Sequence, residues 1–233
     1  MIGVTENLRK IRDLLAICAA EAHRDPASVT LLAVSKKQPV GTILEAVFAG
    51  QRDFGENVVQ EALPKIEELA GRDLVWHFIG RLQSNKTRAV AEHFDWVHSI
   101  DRLKLAERLA DQRPPASPPL NVCLQVNVDD EAGKAGISPA ELPALAAAVA
   151  DIAAHGRLCL RGLMCIPAPR DETAQREPFE RLKKMAEGLR GKGIAMDTLS
   201  MGMSADYRAA IEEGATIVRI GTAIFGDRQE AAA

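Results

Sequence analysis

Residues 28–34, Ser28-Val-Thr-Leu-Leu-Ala-Val34, form a nearly unbroken apolar run that is rich in β-branched side chains. Such a run predicts a strand that is covered on both faces, as the strands of parallel sheets are. Helices are predicted on either side of it, since apolar residues recur at helical spacing in residues 4–22 and again before Gly50. The basic unit of the chain is therefore a buried strand followed by an amphipathic helix.

This strand-then-helix unit recurs along the chain. Strands are predicted at residues 28–34, 52–55, 75–79, 94–100, 120–128, 158–165, 198–201 and 215–220. Because each pair of parallel strands needs a covering crossover helix, the alternation predicts a parallel sheet. Eight units in this length favour a single (β/α)8 TIM barrel, an α/β fold, with one extra N-terminal helix. An open doubly wound sheet is the alternative, because the second and seventh strands are short.

Composition narrows the class of protein. Hydrophobic residues make up 47% of the chain and charged residues 26%, which excludes a disordered chain. The formal net charge is −3, whereas nucleic-acid-binding proteins are usually basic, so we expect no nucleic-acid partner. The start of the chain lacks the apolar region of a signal peptide, and no apolar stretch is long enough to span a bilayer. We therefore expect a cytoplasmic protein without a membrane partner, folded as one domain over residues 1–233.

The cysteines and histidines do not recur at metal-ligand spacing. We expect no metal site. Three of the four cysteines lie in apolar segments, where a thiol behaves as a small hydrophobic group. Reduced, buried cysteines are the preferred interpretation.

In a barrel of this kind, functional residues follow the strands, because active sites are built from the βα loops at the carboxyl rim. Those loops are unusually polar in this chain. They contain residues 35–37, 55–57, His77 with 80–86, 127–129, 200–204 and 219–222. The loops after strands seven and eight frequently bind phosphate in this fold. The hydroxyls of Ser200 and Ser204, together with Gly221-Thr222, are therefore candidates for a phosphate site.

Lys36 is a candidate for covalent chemistry. It ends the first strand in phase with Leu32 and Val34, since side chains alternate between faces. A lysine inside an apolar barrel mouth has its pKa lowered, and the resulting neutral amine is what Schiff-base chemistry needs. Two alternatives stay open: a lysine whose amine extends to solvent, and Lys37, because alternation alone does not say which face is inside.

Several longer motifs resemble the pyridoxal phosphate homeostasis protein family, of the YggS/PROSC type. The resemblance extends in matching order from Val29 to Gly226. The motifs are Leu31-Leu-Ala-Val-Ser-Lys36, Phe54-Gly-Glu-Asn57, Trp76-His-Phe-Ile-Gly80, Leu82-Gln-Ser-Asn-Lys86, Arg161-Gly-Leu-Met164, Leu199-Ser-Met-Gly-Met-Ser204 and Val218-Arg-Ile-Gly-Thr-Ala-Ile-Phe-Gly226. The resemblance implies a barrel similar to the N-terminal domain of alanine racemase, with pyridoxal 5'-phosphate (PLP) as its cofactor.

The resemblance also implies roles for individual residues. Lys36 matches the lysine that forms an internal aldimine with PLP, and Arg219 matches the arginine that faces the pyridine nitrogen. Ser204, with the backbone at Gly221 and Thr222, matches the phosphate grip. The complete set implied to bind the cofactor is Lys36, Asn57, His77, Met164, Ser200, Ser204, Arg219, Gly221 and Thr222.

The implied site favours binding over catalysis. An arginine only donates to the ring nitrogen, so the pyridine stays unprotonated and is a poor electron sink. The racemase's second base is a tyrosine from another domain, whereas the single tyrosine here, Tyr207, follows strand seven. The resemblance thus implies a monomeric, non-enzymatic PLP binder that supplies apo PLP-dependent enzymes.

Alternatives are a PLP-dependent amino-acid racemase of narrow scope and a Schiff-base aldolase acting on a sugar phosphate without PLP. Lys134, in the charged loop 129–136, is a further candidate for transient uptake of PLP.

Overall fold

The computed structural model describes residues 3–131, 133–171 and 174–226, and its strands form a closed, all-parallel barrel. The strands pair in chain order, and the first closes the ring by pairing with the last. They are β1 Thr30–Val34, β2 Asp53–Glu56, β3 Val75–Phe78, β4 Trp96–Ile100, β5 Leu120–Gln125, β6 Leu158–Met164, β7 Thr198–Ser200 and β8 Ile217–Ile220. The predicted (β/α)8 barrel is therefore confirmed, and the open sheet is wrong.

Helices follow the strands and cover them. They are α1 Val4–Glu21, α2 Val40–Phe48, α3 Val59–Glu68, α4 Thr87–His93, α5 Leu103–Gln112, α6 Leu142–Ala153, α7 Arg176–Gly191, α8 Tyr207–Glu212 and α9 Thr222–Phe225. The extra N-terminal helix α1 packs against α2, α8 and α9, which belong to the first unit and to the last two. Its buried face carries the predicted stripe from Val4 to Cys18. This helix therefore covers the junction at which the ring closes.

Some elements end earlier or begin later than predicted, where the chain turns at the carboxyl rim. The helix predicted from Asn57 begins at Val59, and the strand predicted to Val128 ends at Gln125. After β5 the backbone bonds locally instead, since the Asn127 N–H donates to the Ile137 carbonyl at 2.9 Å. Asn57 and Asn127 therefore lie in rim loops, where side chains are available to a ligand.

The packed layers are mostly aliphatic, as the low aromatic content predicts. All four cysteines are free thiols; Cys159 is partly exposed and the other three are buried. Among the described helices, none combines the length and the apolar character that crossing a bilayer requires. The described residues also contain no cluster of three or more histidine, cysteine or acidic side chains suited to a metal ion.

Candidate functional site

A cavity of about 450 Å³ opens at the carboxyl ends of the strands, a size typical of small-molecule sites. It lies between the loops that follow β1, β2, β3, β6, β7 and β8. Its described lining residues are Val34, Lys36, Gln38, Asn57, Ile79, Gly80, Ile166, Met203, Ser204, Ala205, Arg219, Gly221, Thr222 and Gly226. The cavity thus brings together Lys36, Asn57, Ser204, Arg219, Gly221 and Thr222 from the predicted set.

The structure distinguishes the two lysines that follow β1. Lys36 is half-buried and lines the cavity, whereas Lys37 is exposed. The chain turns at this point, because Lys37 has a φ of 61° and the Gln38 N–H donates to the Ser35 carbonyl at 3.0 Å. Lys36 therefore continues the inward alternation of the strand, and the turn leaves Lys37 facing solvent.

A buried ion pair between Lys65 and Glu56 is hydrogen-bonded to the end of β1. Lys65 Nζ lies 2.8 Å from Glu56 Oε1 and donates to the Ser35 carbonyl at 3.0 Å. The Ser35 hydroxyl donates to the same Glu56 oxygen at 2.7 Å. Since Ser35 precedes Lys36 and Glu56 precedes Asn57, the pair fixes the two strand ends that present these residues to the cavity.

This ion pair was not predicted from the sequence. Lys65 lies on the buried stripe of α3 with Val59 and Ala62. A lysine on the apolar face of a helix is the signal that points to a buried partner, because a lysine is almost never fully buried unless it is paired.

Arg219 is the buried cation of the site. Its Nη1 donates to Ser200 Oγ at 2.8 Å, and its Nη2 donates to the Cys165 carbonyl at 2.8 Å. Burial lowers the pKa of the guanidinium, but an arginine stays charged in proteins. Both acceptors are neutral, and a guanidinium carries five N–H groups. Arg219 therefore has donors left for a ligand in the cavity that it lines.

Tight turns place the polar groups of two other loops. Gly202, after β7, has a φ of +92°, and a Cβ there would lie 2.6 Å from the Ala210 Cβ. The Met203 N–H donates to Asp206 Oδ1 at 2.6 Å, which closes the turn beside Ser204. After β3, a Cβ on Gly80 would lie 2.1 Å from the carbonyl oxygen of Asn57. Glycine is therefore required at both positions for the loops to reach the cavity.

Three residues of the predicted set lie elsewhere. His77, Met164 and Ser200 are buried and, among the described residues, are not part of the cavity lining. Ser200 contacts the site through Arg219, and His77 contacts the ring of His98. Direct cofactor contact by these three residues stays a prediction.

Lys134 lies in an ion-pair cluster at the rim and not in the cavity lining. Its Nζ is 3.0 Å from Asp129 Oδ2 and 3.1 Å from Glu131 Oε1. Burial acts to lower the pKa of Lys134, but its bonds to these two carboxylates raise it more, so the net pKa is raised. In this arrangement its amine is held protonated, which disfavours reaction with an aldehyde.

Asp129 gathers the donors of this cluster. The Ala168 N–H and Arg170 Nη2 both lie 2.7 Å from its carboxylate, in addition to Lys134. Burial raises the pKa of Asp129, but these bonds outweigh it and lower the pKa to about 2. Asp129 therefore ties the loop after β5 to the loop after β6.

We expect this carboxylate to make the protein's stability depend on pH. A lowered pKa stabilises the fold above the unfolded pKa, and this stabilisation is lost as pH falls from about 4 toward about 2. The expected difference in unfolding free energy between the wild type and Asp129→Asn is about 2 kcal/mol at neutral pH, shrinking across that window. Urea denaturation as a function of pH measures it, with the exposed Asp111→Asn as control. A difference that stays constant from neutral pH through the window would show that the prediction is wrong.

The barrel and its lysine-bearing rim cavity define a class of protein, and a family model identifies it. The model described as alanine racemase, N-terminal domain, matches residues 7–229. The solved alanine racemase of Streptomyces coelicolor is similar in fold, with a TM-score of 0.72 at 22% identity over 94% of this chain and 58% of that one. The chain belongs to the alanine racemase N-terminal domain family.

More similar relatives narrow the assignment. A pyridoxal phosphate homeostasis protein of Pseudomonas aeruginosa is 57% identical over 229 residues, covering 98% of this chain and 97% of that one. The one of Escherichia coli K12 is 54% identical over 234 residues, covering 98% of each. PipY of Synechococcus elongatus, solved with PLP bound, is 39% identical with a TM-score of 0.83, covering 96% of this chain and 100% of that one. The chain belongs to the pyridoxal phosphate homeostasis protein family, which confirms the resemblance.

Proposed function

We propose that this protein binds PLP in the rim cavity as a Schiff base on Lys36 and serves PLP homeostasis without catalytic turnover. The observation that carries the proposal is the shared cavity, lined at once by an amine, by hydroxyl and backbone groups, and by a buried cation with donors to spare. Membership of the pyridoxal phosphate homeostasis protein family supports it, and so does PipY, a relative solved with PLP bound.

The residues fit the chemistry of PLP, which carries an aldehyde, a phosphate and a ring nitrogen. Lys36 is the amine for the aldehyde. Ser204 and Thr222 supply hydroxyls, and Gly221 supplies backbone, to the phosphate. Arg219 supplies a donor to the ring nitrogen, which is an acceptor when unprotonated. Each of these three groups of the cofactor therefore has a matching group in the lining.

Lys36 is the residue that forms the covalent bond. The neutral Nζ adds to the aldehyde carbon, and a water molecule leaves as the C=N bond forms. The reverse reaction with water releases the aldehyde and restores the free amine. Reversibility suits a protein that stores a reactive aldehyde and hands it on.

Arg219 supports binding without catalysis. A guanidinium donates to the ring nitrogen but does not protonate it, so the ring is not made a strong electron sink. Racemisation also requires two acid–base groups on opposite faces of the substrate. The ionisable residues in the described lining of the cavity are Lys36 and Arg219, and Arg219 does not act as a base. Tyr207 begins α8 and is outside that lining.

The decisive test of turnover is incubation of the PLP-loaded protein with a panel of L-amino acids. We expect no D-isomer above the level produced by PLP alone, because a second acid–base group is missing from the described lining. Chiral chromatography measures the product, and Lys36→Ala is the matched control. D-isomer formation that depends on Lys36 would establish the racemase alternative instead.

Three finer properties complete the proposal. We propose that the protein acts as a monomer, in the cytoplasm, and that apo PLP-dependent enzymes are the recipients of its PLP. The single barrel already contains every group assigned above to the cofactor, so the site needs no second subunit.

A further inference from the structure

A chain of polar side chains crosses the interior of the barrel from the site to its opposite end. Arg219 Nη1 lies 2.8 Å from Ser200 Oγ, which lies 2.7 Å from His98 Nδ1. His98 Nε2 lies 3.0 Å from His77 Nδ1, and His77 Nε2 lies 3.0 Å from Asp53 Oδ1. The chain thus runs from β8 through β7, β4 and β3 to β2.

All residues of this hydrogen-bond chain except Asp53 are buried. Arg219, Ser200, His98 and His77 are each at most 4% exposed. Asp53 is the first residue of β2, and its side chain is 29% exposed. The carboxylate therefore reaches solvent at the amino-terminal end of the barrel, away from the cavity that Lys36 lines.

The two ends of the chain determine the direction of every hydrogen bond. An arginine only donates and an ionised aspartate only accepts. With neutral histidines, His77 must then donate from Nε2 and accept at Nδ1. His98 must do the same, and the Ser200 hydroxyl donates to His98 while it accepts from Arg219. Among the arrangements with two neutral rings, this is the one that gives each of the four contacts one donor and one acceptor.

The neutral state of His98 is consistent with its surroundings. Burial lowers the pKa of His98 well below its usual value, and the nearby His77 and the charge of Arg219 lower it further. Within the hydrogen-bond chain, His98 contacts His77 and Ser200. The ring of Trp96 also lies beside the His98 ring, with 5.7 Å between the ring centroids. A neutral ring has one donor and one acceptor, as the chain requires.

We propose that His98 is a positioning residue for the cofactor, acting through Ser200 on Arg219. Because the Ser200 hydroxyl donates its proton to His98, its oxygen accepts a hydrogen bond from the guanidinium of Arg219. Without His98, the buried hydroxyl lacks its acceptor, and the orientation of the guanidinium relative to the ring nitrogen is no longer fixed. His77 and Asp53 hold His98 in the required tautomer. This inference rests on the proposed function, but the hydrogen-bond chain belongs to the protein itself.

The chain is tested first in the wild-type protein without PLP. Nitrogen-15 NMR of the histidine rings is expected to show that His98 and His77 are both neutral at pH 7 and carry their proton on Nε2. An Nδ1-protonated tautomer or a charged ring at either histidine would overturn the inference, whatever the protein binds.

Variants then test the effect on the cofactor. We expect His98→Leu to weaken PLP binding about tenfold and to shift the absorption maximum of the bound cofactor. His98→Asn is expected to recover part of both effects, because its amide oxygen can still accept from Ser200. His155→Leu, on an exposed histidine, is the control and is expected to change neither.

A variant at the far end separates coupling through the chain from local packing. Asp53→Asn is expected to shift the absorption of bound PLP in the same direction as His98→Leu, though Asp53 is outside the cavity lining. Asp95→Asn is its control. Asp95 also accepts a hydrogen bond at the amino-terminal end of the barrel, but it does not belong to the chain of hydrogen bonds from Arg219 to Asp53.

The possible failures can be told apart. If the wild type does not bind PLP, the proposed function is wrong. The NMR measurement still tests whether the hydrogen-bond chain has the inferred tautomers. If the wild type binds PLP and folded His98→Leu and Asp53→Asn keep its spectrum and affinity, the positioning role is wrong. If His98→Leu does not fold, Asp53→Asn decides the same question.

Discussion

Lys36→Ala is expected to give a folded protein that no longer holds PLP covalently. Lys36 is the described lysine in the cavity lining, and alanine removes the nucleophile without adding bulk. Absorption of the Schiff base should disappear, while the circular dichroism spectrum and the unfolding transition remain those of the wild type. Borohydride reduction of the wild type, followed by peptide mass mapping, should place the pyridoxyl group on Lys36.

Lys37→Ala is the matched control for this experiment. Lys37 is the adjacent residue and has the same amine, but the turn at its positive φ leaves it exposed. Its replacement should change neither the spectrum nor the adduct. An adduct that remains in Lys36→Ala at wild-type yield, or one that maps to Lys37, would contradict the assignment of the covalent residue.

Lys65→Met is expected to lower the free energy of unfolding by about 3–5 kcal/mol, because it leaves the Glu56 carboxylate buried without its cation. The Glu56 side chain is fully buried, and its second oxygen, Oε2, has no hydrogen-bond partner among the described residues. Methionine has nearly the volume of lysine, so the loss reports the charge and not a cavity. Urea denaturation at neutral pH measures it.

Two further variants identify the cause of that loss. Glu56→Gln combined with Lys65→Met removes the buried charge and should restore much of the lost stability. Lys10→Met breaks an exposed pair with Glu6 and should change the unfolding free energy by at most about 0.5 kcal/mol. A small effect of Lys65→Met, or a double variant no more stable than the single one, would show that the pair is not stabilised as argued.

The ion pair between Lys65 and Glu56 is expected to affect PLP binding as well as the stability of the fold. Lys65 donates to the carbonyl of Ser35, whose neighbour is Lys36, and Glu56 precedes Asn57. Lys65→Met is therefore expected to weaken PLP binding in the molecules that still fold, while the exposed pair of Lys10 has no such connection. The ion pair thus links the rigidity of the strand ends to the geometry of the site.

The barrel could be predicted because its determinants are local. A buried parallel strand is a short apolar run, and the need for a crossover helix orders the units without knowledge of distant contacts. The ends of elements were less predictable. The sequence predicts that residues 126–128 continue β5. The Val126 N–H does donate to the Met164 carbonyl of β6, but the Asn127 N–H donates to the Ile137 carbonyl, and the strand ends there. Such competition between loop and sheet depends on where the following loop returns.

For the candidate site, the sequence by itself determined which loops meet at the rim and which residues those loops carry, including Lys36 and Ser204. Only the tertiary structure decided that Lys36 and not Lys37 lines the cavity, and that His98 and Ser200, 102 positions apart, contact each other across the barrel. The physical reason is range. Periodicity reports how a residue relates to its neighbours along the chain, whereas inward facing and cross-barrel hydrogen bonds exist only once the ring of strands has closed.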